Sequence, residues 1–240
     1  MKSVERWHSD RIDGTVTLVR WGEIGSPVLI FPTAGGDAEE IERFGLVSAL
    51  GGLLGAGRIK VYSIDSVAGR SLLERRDPNH TAWLFNSYSS VIRDEVVPAI
   101  RSDCRDEQIE ITTAGASIGA FNAVAALCRH PEVFRVAVGM SGTYDLSPQL
   151  GGSFSDDFYF SSPLHYLPGL SGEQLDHIRA RFIVLATGSG DWENPGETWA
   201  MGHVLGAKAI PNRVDVWSEE HHHDWPTWCE MLPLYLDDLT

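Results

Sequence analysis

The chain has 240 residues, of which 43% are hydrophobic and 22% charged, a composition typical of a globular protein rather than a disordered or fibrous one. Its formal net charge is −14, from 33 acidic and 19 basic residues, which argues against nucleic acid and anionic membranes as partners. The longest apolar run falls well short of the ~20 residues that a membrane span requires.

The N-terminus and the cysteines bear on the compartment. The first ten residues, M-K-S-V-E-R-W-H-S-D, contain no apolar signal-peptide core, so we expect a cytoplasmic location. Cys104, Cys128 and Cys229 are odd in number and widely spaced, which favours reduced thiols over a disulfide framework. We find neither a linker nor an internal repeat, and therefore expect residues 1–240 to form a single domain.

Short β-prone runs along the chain predict the strands of one sheet. Residues 15–20 alternate between apolar and β-branched polar side chains, which predicts a half-buried strand. Later runs, most of them continuously apolar as in strands covered on both faces, predict further strands at 28–31, 59–64, 109–113, 133–140, 182–187 and 214–217.

Helical patterns separate these strands. They follow the loop 32–36 as far as Leu54, and recur at 87–100, after Gly119, at 199–207 and at 228–239. The segment 70–86 is polar, and we expect irregular structure there. Residues 146–178 are rich in aromatic residues, glycine and proline without a clear strand, which indicates a small excursion above the sheet. Strands that alternate with helices predict an α/β fold with a mostly parallel central sheet flanked by helices.

One predicted strand-to-helix junction carries a serine between two glycines, Gly115-Ala116-Ser117-Ile118-Gly119. Strand, G-x-S-x-G and helix is the order of a nucleophile elbow, which exposes the serine oxygen above the sheet. Glycine is needed on both sides because the strained serine backbone brings strand and helix too close for a Cβ. In a chain with 24 glycines the pattern alone is weak, and the alternative is a serine in an ordinary glycine turn.

A nucleophilic serine needs a base that a carboxylate orients, and in this fold they follow in the order serine, acid, histidine. His221-His222-His223 follows the last predicted strand. We take His223 as the base, because it stands where the loop leads into the final helix. Adjacent histidines splay apart, so a shared zinc site is disfavoured and we expect no metal. Asp224 is a candidate N-cap of the final helix, with Pro226 in the first turn.

The loop after the predicted strand 182–187, G-S-G-D-W-E-N-P-G-E, offers the acid. Asp191 and Glu193 are its main candidates, with Glu197 and Asp145 as weaker alternatives. Aspartate is the commoner triad acid, whereas glutamate has the longer reach from a position further along the loop. The residues alone do not separate Asp191 from Glu193.

An oxyanion hole requires two backbone N–H groups, one from the residue after the nucleophile and one from the first strand-to-helix loop. The N–H groups of Ile118 and Ala34 occupy these places in the sequence, although an ordinary glycine-rich turn would also explain the loop around Ala34. Trp192 and Trp225 are candidates for framing the substrate, although most aromatic residues of any chain belong to its core.

Motifs along nearly the whole chain resemble one known family. They are V-L-I-F-P-T-A-G-G, Y-S-I-D-S-V, A-G-A-S-I-G-A-F-N-A, S-G-T-Y-D-L, S-S-P-L-H-Y-L-P-G-L, L-A-T-G-S-G-D-W-E-N-P and H-D-W-P-T-W-C-E-M-L-P. Together they resemble the esterases of the α/β-hydrolase superfamily that are related to esterase D and the mycolyltransferases. The last motif is the most specific of the set.

The resemblance implies a serine esterase without a cofactor. It implies hydrolysis of a small-molecule carboxylic ester through Ser117 as nucleophile and His223 as base. It favours Glu193 as the acid, since relatives carry a glutamate after an aromatic residue in this loop. Family members are often homo-oligomers, and the substrate does not transfer. Acyl transfer to an alcohol or sugar, and a non-catalytic binding scaffold, are the alternatives.

Overall fold

The computed structural model describes all 240 residues, and an eight-stranded sheet forms its centre. The strands are β1 (Lys2–Ser9), β2 (Gly14–Trp21), β3 (Ser26–Phe31), β4 (Ile59–Ile64), β5 (Ile111–Ala116), β6 (Phe134–Met140), β7 (Phe182–Thr187) and β8 (Asn212–Val216). Their spatial order is β1-β2-β4-β3-β5-β6-β7-β8. β1 and β2 pair antiparallel with their neighbours, and the remaining strands are all parallel. The predicted mostly parallel sheet is confirmed.

Helices cover both faces of the sheet. They are α1 (Glu40–Arg43), α2 (Leu46–Ala49), α3 (Gly51–Gly55), α4 (Val67–Leu73), α5 (Pro78–Val91), α6 (Val97–Cys104), α7 (Ile118–Arg129), α8 (Asp156–Ser161), α9 (Pro163–Tyr166), α10 (Glu173–Arg179), α11 (Pro195–Ala207) and α12 (Trp225–Leu239). A π-helical turn (Ile92–Val96) joins α5 to α6, and a 3₁₀ turn (Leu167–Gly169) follows α9. None of these helices has the length and hydropathy to cross a bilayer.

The N-terminal strand and the helical stretch after β3 differ from the sequence-based expectation. β1 was not predicted, because its residues are mostly polar and exposed at the edge of the sheet. Its residues pair with β2 along their whole length, so hydrogen bonding to a neighbour forms the strand without an apolar face. The stretch to Leu54 is three short helices rather than one, since Gly45 adopts a left-handed φ of 85° before α2.

The prediction of irregular structure at 70–86 is wrong. α4 and α5 occupy most of this segment, and the helix that starts at Pro78 continues through the π turn to Cys104, beyond the predicted bounds of 87–100. Asp77 caps α5 by accepting a hydrogen bond from the His80 N–H at 2.9 Å, with Pro78 in the first turn. The cap and the proline are therefore the local helix signals in a segment whose composition is polar.

The two faces of the sheet carry two apolar clusters. The larger one lies under α5, α6 and α7, and the smaller one under α12 and the short helices α1–α3. The excursion at 146–178 contains no strand, as predicted, and α8 packs against α5 while α9 packs against α7. α7 is buried along nearly its whole length, which its run of small residues permits. The nucleophile candidate stands at the start of this buried helix.

Candidate active site

Ser117 lies on the turn between β5 and α7 with φ 56° and ψ −121°. A left-handed φ is costly for a residue with a Cβ, and such strain is typical of a nucleophile elbow. The Ser117 N–H donates to the Met140 carbonyl at 3.0 Å, and the Ser117 carbonyl accepts from the Thr143 N–H at 3.3 Å. The strained turn is therefore held by the end of β6 and the loop behind it.

The two glycines that flank the serine are required sterically. A Cβ on Gly115 would lie 2.3 Å from the carbonyl group of Gly119. A Cβ on Gly119 would lie 2.3 Å from the Phe31 carbonyl oxygen and 2.8 Å from that of Pro32. Any side chain here would push strand and helix apart. The short distance from Gly119 to the Phe31 carbonyl also shows that the end of β3 packs against the start of α7.

This contact directs the loop after β3 towards the elbow. The Ala34 N–H in that loop donates to no acceptor within the protein. The Ile118 N–H is the first of α7, and the first N–H groups of a helix have no partner within the helix. Two candidate oxyanion donors are thus available from the two segments that the sequence indicated.

Glu40 holds the loop around Ala34 in place. Its side chain accepts hydrogen bonds at 2.8 Å from both the N–H and the hydroxyl of Thr33. Gly36 is required beside it, because a Cβ there would lie 2.3 Å from the carboxylate. Sequence reasoning missed Glu40, which looks like one of several acidic residues in a surface stretch, although it is buried.

Glu193 and His223 face each other across the loops after β7 and β8. The His223 Nδ1 lies 3.7 Å from the Glu193 Oε2, slightly beyond hydrogen-bond length, and the Glu193 side chain is only 1% exposed. The Trp228 ring packs edge-on against the imidazole, with centroids 5.2 Å apart. The His223 N–H donates to the Asp191 carbonyl at 3.0 Å, so both the ring and the backbone of the histidine are fixed.

Three groups donate hydrogen bonds to the Glu193 carboxylate. The Thr187 hydroxyl donates at 3.0 Å and the Gly188 N–H at 3.2 Å. The Ser141 hydroxyl donates at 2.5 Å and itself accepts from the Trp228 indole N–H at 2.9 Å. Burial raises the pKa of Glu193, but the interactions with His223, Ser141 and Thr187 outweigh it and leave the pKa below its ordinary value. The buried carboxylate is therefore ionised at neutral pH.

Ser141 and Thr187 were also missed from the sequence. Both stand at the carboxyl ends of strands, Ser141 directly after β6 and Thr187 as the last residue of β7. Ser141 adopts a left-handed φ of 47° in the motif S-G-T-Y-D-L, which contributed to the family resemblance but gave no role to the serine. Position at this edge of the sheet was the available signal.

The neighbouring histidines contact other partners. His222 Nδ1 accepts from the Asp191 N–H at 2.8 Å and lies 3.7 Å from the Asp191 carboxylate, which is 84% exposed. His221 lies 3.0 Å from the Ser218 hydroxyl and 3.4 Å from Glu230. No group of three histidine, cysteine or acidic side chains is arranged to hold a metal ion.

The two weaker acid candidates organise the loop after β6. The Glu197 carboxylate accepts from the backbone N–H groups of Tyr144 at 2.7 Å and Asp145 at 3.3 Å. The Asp145 carboxylate accepts from the Ser147 N–H at 2.9 Å. Both side chains are thus bound to backbone groups of this loop.

The two candidate substrate-framing tryptophans lie in different surroundings. Trp192 is 91% exposed on a backbone with φ 65°. Trp225 stacks on Phe44 with centroids 4.9 Å apart and packs edge-on against Trp228, the ring that contacts His223. Asp224 caps α12 as predicted, accepting from the Thr227 N–H at 3.3 Å. Trp225 therefore belongs to an aromatic row that ends at the histidine.

A mostly parallel eight-stranded sheet with a serine on a strained strand-to-helix turn defines the α/β-hydrolase class. Within this class, residues 58–236 match the family described as "Putative esterase". The chain belongs to this family and is a carboxylic ester hydrolase. The resemblance noted from the motifs is thereby confirmed. A search of curated proteins gave no match.

Solved structures share the fold over nearly full length. A ferulic acid esterase has a TM-score of 0.79 at 15% identity, covering 100% of this chain and 98% of its own. An S-formylglutathione hydrolase from Agrobacterium tumefaciens has 0.73 at 14%, covering 99% and 93%. MPT51 (FbpC1) from Mycobacterium tuberculosis has 0.71 at 14%, covering 98% and 97%. At these identities the likeness establishes the fold.

Proposed function

We propose that the protein is a serine carboxylesterase that works through a Ser117–His223–Glu193 triad and an acyl-enzyme intermediate. The observation that carries this proposal is the buried, ionised Glu193 carboxylate 3.7 Å from the His223 Nδ1. A carboxylate in this position holds the imidazole in the tautomer whose Nε2 can accept a proton, and it stabilises the imidazolium that forms.

In the first half-reaction the Ser117 hydroxyl attacks the ester carbonyl while His223 Nε2 takes its proton. The N–H groups of Ile118 and Ala34 stabilise the resulting oxyanion. The intermediate collapses with cleavage of the bond to the alcohol oxygen, and His223 returns the proton to the departing alcohol. Water then attacks the acyl-serine with His223 as base again, which releases the carboxylic acid product and restores Ser117.

Glu193 is the better candidate than Asp191 for the acid. Its carboxylate is enclosed by donors from Thr187, Gly188 and Ser141, whereas the Asp191 carboxylate faces solvent beside His222. An orienting carboxylate must itself be oriented, and hydrogen bonds from rigid strand ends supply that.

The substrate is a small-molecule ester, and the proposal assigns neither its acyl nor its alcohol group. The similar structures bear names that refer to different substrates, so no one of them defines the choice here. We propose that Trp225 and Trp192 contact the substrate at the rim of the site, Trp225 because its aromatic row leads to His223. A panel of esters in which acyl and alcohol groups vary independently tests this assignment.

We also propose that residues 1–240 act as one domain. The sheet takes strands from Lys2–Ser9 to Asn212–Val216, and α12 closes the smaller apolar cluster. The N-terminal strand thus extends the same sheet that the C-terminal helix covers. A single cooperative unfolding transition, coincident by fluorescence and circular dichroism, is the expected result.

The decisive experiment on the mechanism is Ser117→Ala. Hydrolysis of p-nitrophenyl acetate or butyrate should fall by about 10⁴-fold or more while the thermal melting curve is preserved, because the hydroxyl supplies the nucleophile and little packing. Ser102→Ala, at an exposed serine of α6, is the matched control and should retain full activity. A fluorophosphonate probe should label Ser117 in the wild type. Undiminished turnover by Ser117→Ala would overturn the mechanism.

The same acyl-enzyme can react with an alcohol or a sugar instead of water. Product analysis with an added alcohol acceptor separates the two outcomes. We expect hydrolysis to predominate, and a transfer product that grows at the expense of the free acid would instead identify an acyltransferase.

A further inference from the structure

A cleft of about 430 Å³ lies at the opposite end of α7 from Ser117. It is lined mainly by Asn86, Arg129, Tyr159, Phe160, Tyr166 and Gln174, and we call it the Arg129 cleft. Arg129 is the last residue of α7, and twelve helical residues separate the cleft from the elbow by about 18 Å. The mechanism proposed above uses none of these side chains.

Arg129 is a half-buried cation without a carboxylate partner. Its Nη1 donates to the Asn86 side-chain oxygen at 2.7 Å and to the Phe160 carbonyl at 3.2 Å, and no acidic oxygen lies within 4 Å of the guanidinium. Burial lowers the pKa of Arg129, but a guanidinium stays charged in proteins. A desolvated charge with only neutral partners is incompletely compensated, so a bound anion would stabilise it.

The hydrogen bonds of Arg129 leave one edge of the guanidinium free. Nε and Nη2 have no acceptor within the protein, and Arg129 lines the cleft. Asn86 fixes the orientation, because its amide N–H donates to Asp157 at 2.7 Å and thereby turns its oxygen towards Arg129. Two parallel N–H groups on one edge are the geometry that binds a carboxylate in a bidentate manner. A single cation with Asp157 behind it favours a monoanion over a phosphate dianion.

Tyr166 adds a second donor beside Arg129. The residue is 7% exposed, and its hydroxyl has no hydrogen-bond partner. Burial raises the pKa of Tyr166 well above its ordinary value, so the hydroxyl keeps its proton and remains a donor. A buried polar group without a partner is uncommon, and a ligand oxygen would satisfy it once a small side-chain shift uncovers the hydroxyl.

One wall of the cleft is apolar. Tyr159 and Phe160 form an edge-to-face pair with centroids 5.1 Å apart, and the Phe160 ring is largely exposed to solvent. Leu170 continues this surface beside Gly169. A partly exposed aromatic pair next to a free cationic edge provides one charged and one apolar subsite.

We propose that the Arg129 cleft binds a small organic monocarboxylate that carries an apolar or aromatic group. The carboxylate pairs with the free edge of Arg129 and accepts from the Tyr166 hydroxyl, while the apolar group covers Tyr159 and Phe160. This site is separate from Ser117 and does not depend on the esterase mechanism.

Calorimetric titration of the Ser117→Ala variant tests the proposal without turnover. Phenylacetate, its neutral analogue phenylacetamide and acetate are the three probes. Phenylacetate should bind at least tenfold more tightly than phenylacetamide, which lacks the charge, and more tightly than acetate, which lacks the ring. Equal affinities for phenylacetate and phenylacetamide would overturn the proposal.

Variants locate the binding. Arg129→Gln should weaken phenylacetate binding at least tenfold, whereas Arg93→Gln, the same charge change at an exposed arginine paired with Glu132, should not. Tyr166→Phe should weaken it severalfold with an unchanged melting temperature, since the hydroxyl has no partner to lose. The Tyr166→Phe variant also tests the proposal if Arg129→Gln folds poorly. Binding that survives Tyr166→Phe and Arg129→Gln, or that fluorophosphonate modification of the wild type abolishes, would overturn the assignment.

Discussion

Two histidine–carboxylate pairs stand side by side at the carboxyl edge of the sheet, and they have the same separation. His223 lies 3.7 Å from Glu193, and His222 lies 3.7 Å from Asp191. We call them the inner and the outer pair. The inner carboxylate is 1% exposed and the outer one 84% exposed. Separation therefore does not distinguish the two pairs, whereas burial and hydrogen bonding do.

The surroundings explain why the two pairs should behave differently. An ion pair in water contributes about 0–1 kcal/mol, because solvent screens it and both side chains stay mobile. The inner carboxylate has donors on both oxygens, from Ser141 and Gly188 on one and Thr187 on the other. In the outer pair it is the backbone of Asp191 that forms hydrogen bonds. The Asp191 N–H donates to His222 Nδ1, and the Asp191 carbonyl accepts from the His223 N–H.

Among the substitutions in the two pairs, Glu193→Gln should cause the largest loss of activity. The amide keeps the size of the side chain but removes the charge that stabilises the imidazolium and selects its tautomer. We expect kcat/KM for p-nitrophenyl butyrate to fall by about 10²- to 10⁴-fold. Steady-state kinetics with the folded variant measure it. A loss of only a fewfold would mean that the inner pair does not serve catalysis.

Ser141→Ala should have an intermediate effect. It removes one hydrogen bond to the inner carboxylate and leaves the buried Trp228 indole N–H without its acceptor, so we expect a loss of about 10- to 100-fold in kcat. In the proposed mechanism Ser141 acts through Glu193, to which its hydroxyl donates. In the Glu193→Gln background, Ser141→Ala should therefore cost much less than in the wild type.

A full effect of Ser141→Ala in both backgrounds would contradict a positioning role, because additive losses indicate independent action. Melting temperatures of the single and double variants provide the control for a general loss of stability.

The sequence anticipated the elements of the site better than its internal contacts. The bounds of β4 and β7 match the prediction, and so does the place of Ser117 on the turn after β5. Apolar runs and glycine sterics are local properties, which a single sequence displays. The same local patterns did not predict the helices at 70–86, because the polar composition of this segment outweighed the helix-capping signal of Asp77.

The contacts that separate the inner from the outer pair are not local. Ser141 and Glu193 are 52 residues apart, and Ser141 and Trp228 are 87 apart. Ser141 and Glu193 meet because parallel strands end at one edge of the sheet, and Trp228 reaches Ser141 from α12. No spacing in the chain encodes which side chains then touch. Choosing Glu193 over Asp191 accordingly needed a family resemblance at the sequence level and burial at the structural level.

Protonation provides a smaller test of the inner pair. The pKa of Glu193 is lowered in the folded protein from an ordinary value of 4.5, so folding favours the ionised form. Its contribution to the free energy of unfolding is present above about pH 4.5 and is lost as the pH falls through the folded-state pKa. Urea unfolding at several pH values should show that the free energies of unfolding of the wild type and of Glu193→Gln converge below about pH 4.5. A stability difference that widens towards acid pH would have the wrong sign.

Asp191→Asn should have the smallest effect on activity, and it tests the outer pair directly. The substitution removes the outer carboxylate but keeps the backbone groups that bind His222 and His223, so kcat/KM should stay within about twofold of the wild type. Measuring it beside Glu193→Gln under the same conditions makes the two amides matched controls for each other. A loss as large as that of Glu193→Gln would show that the exposed carboxylate acts on His223, and burial would then no longer distinguish the acid.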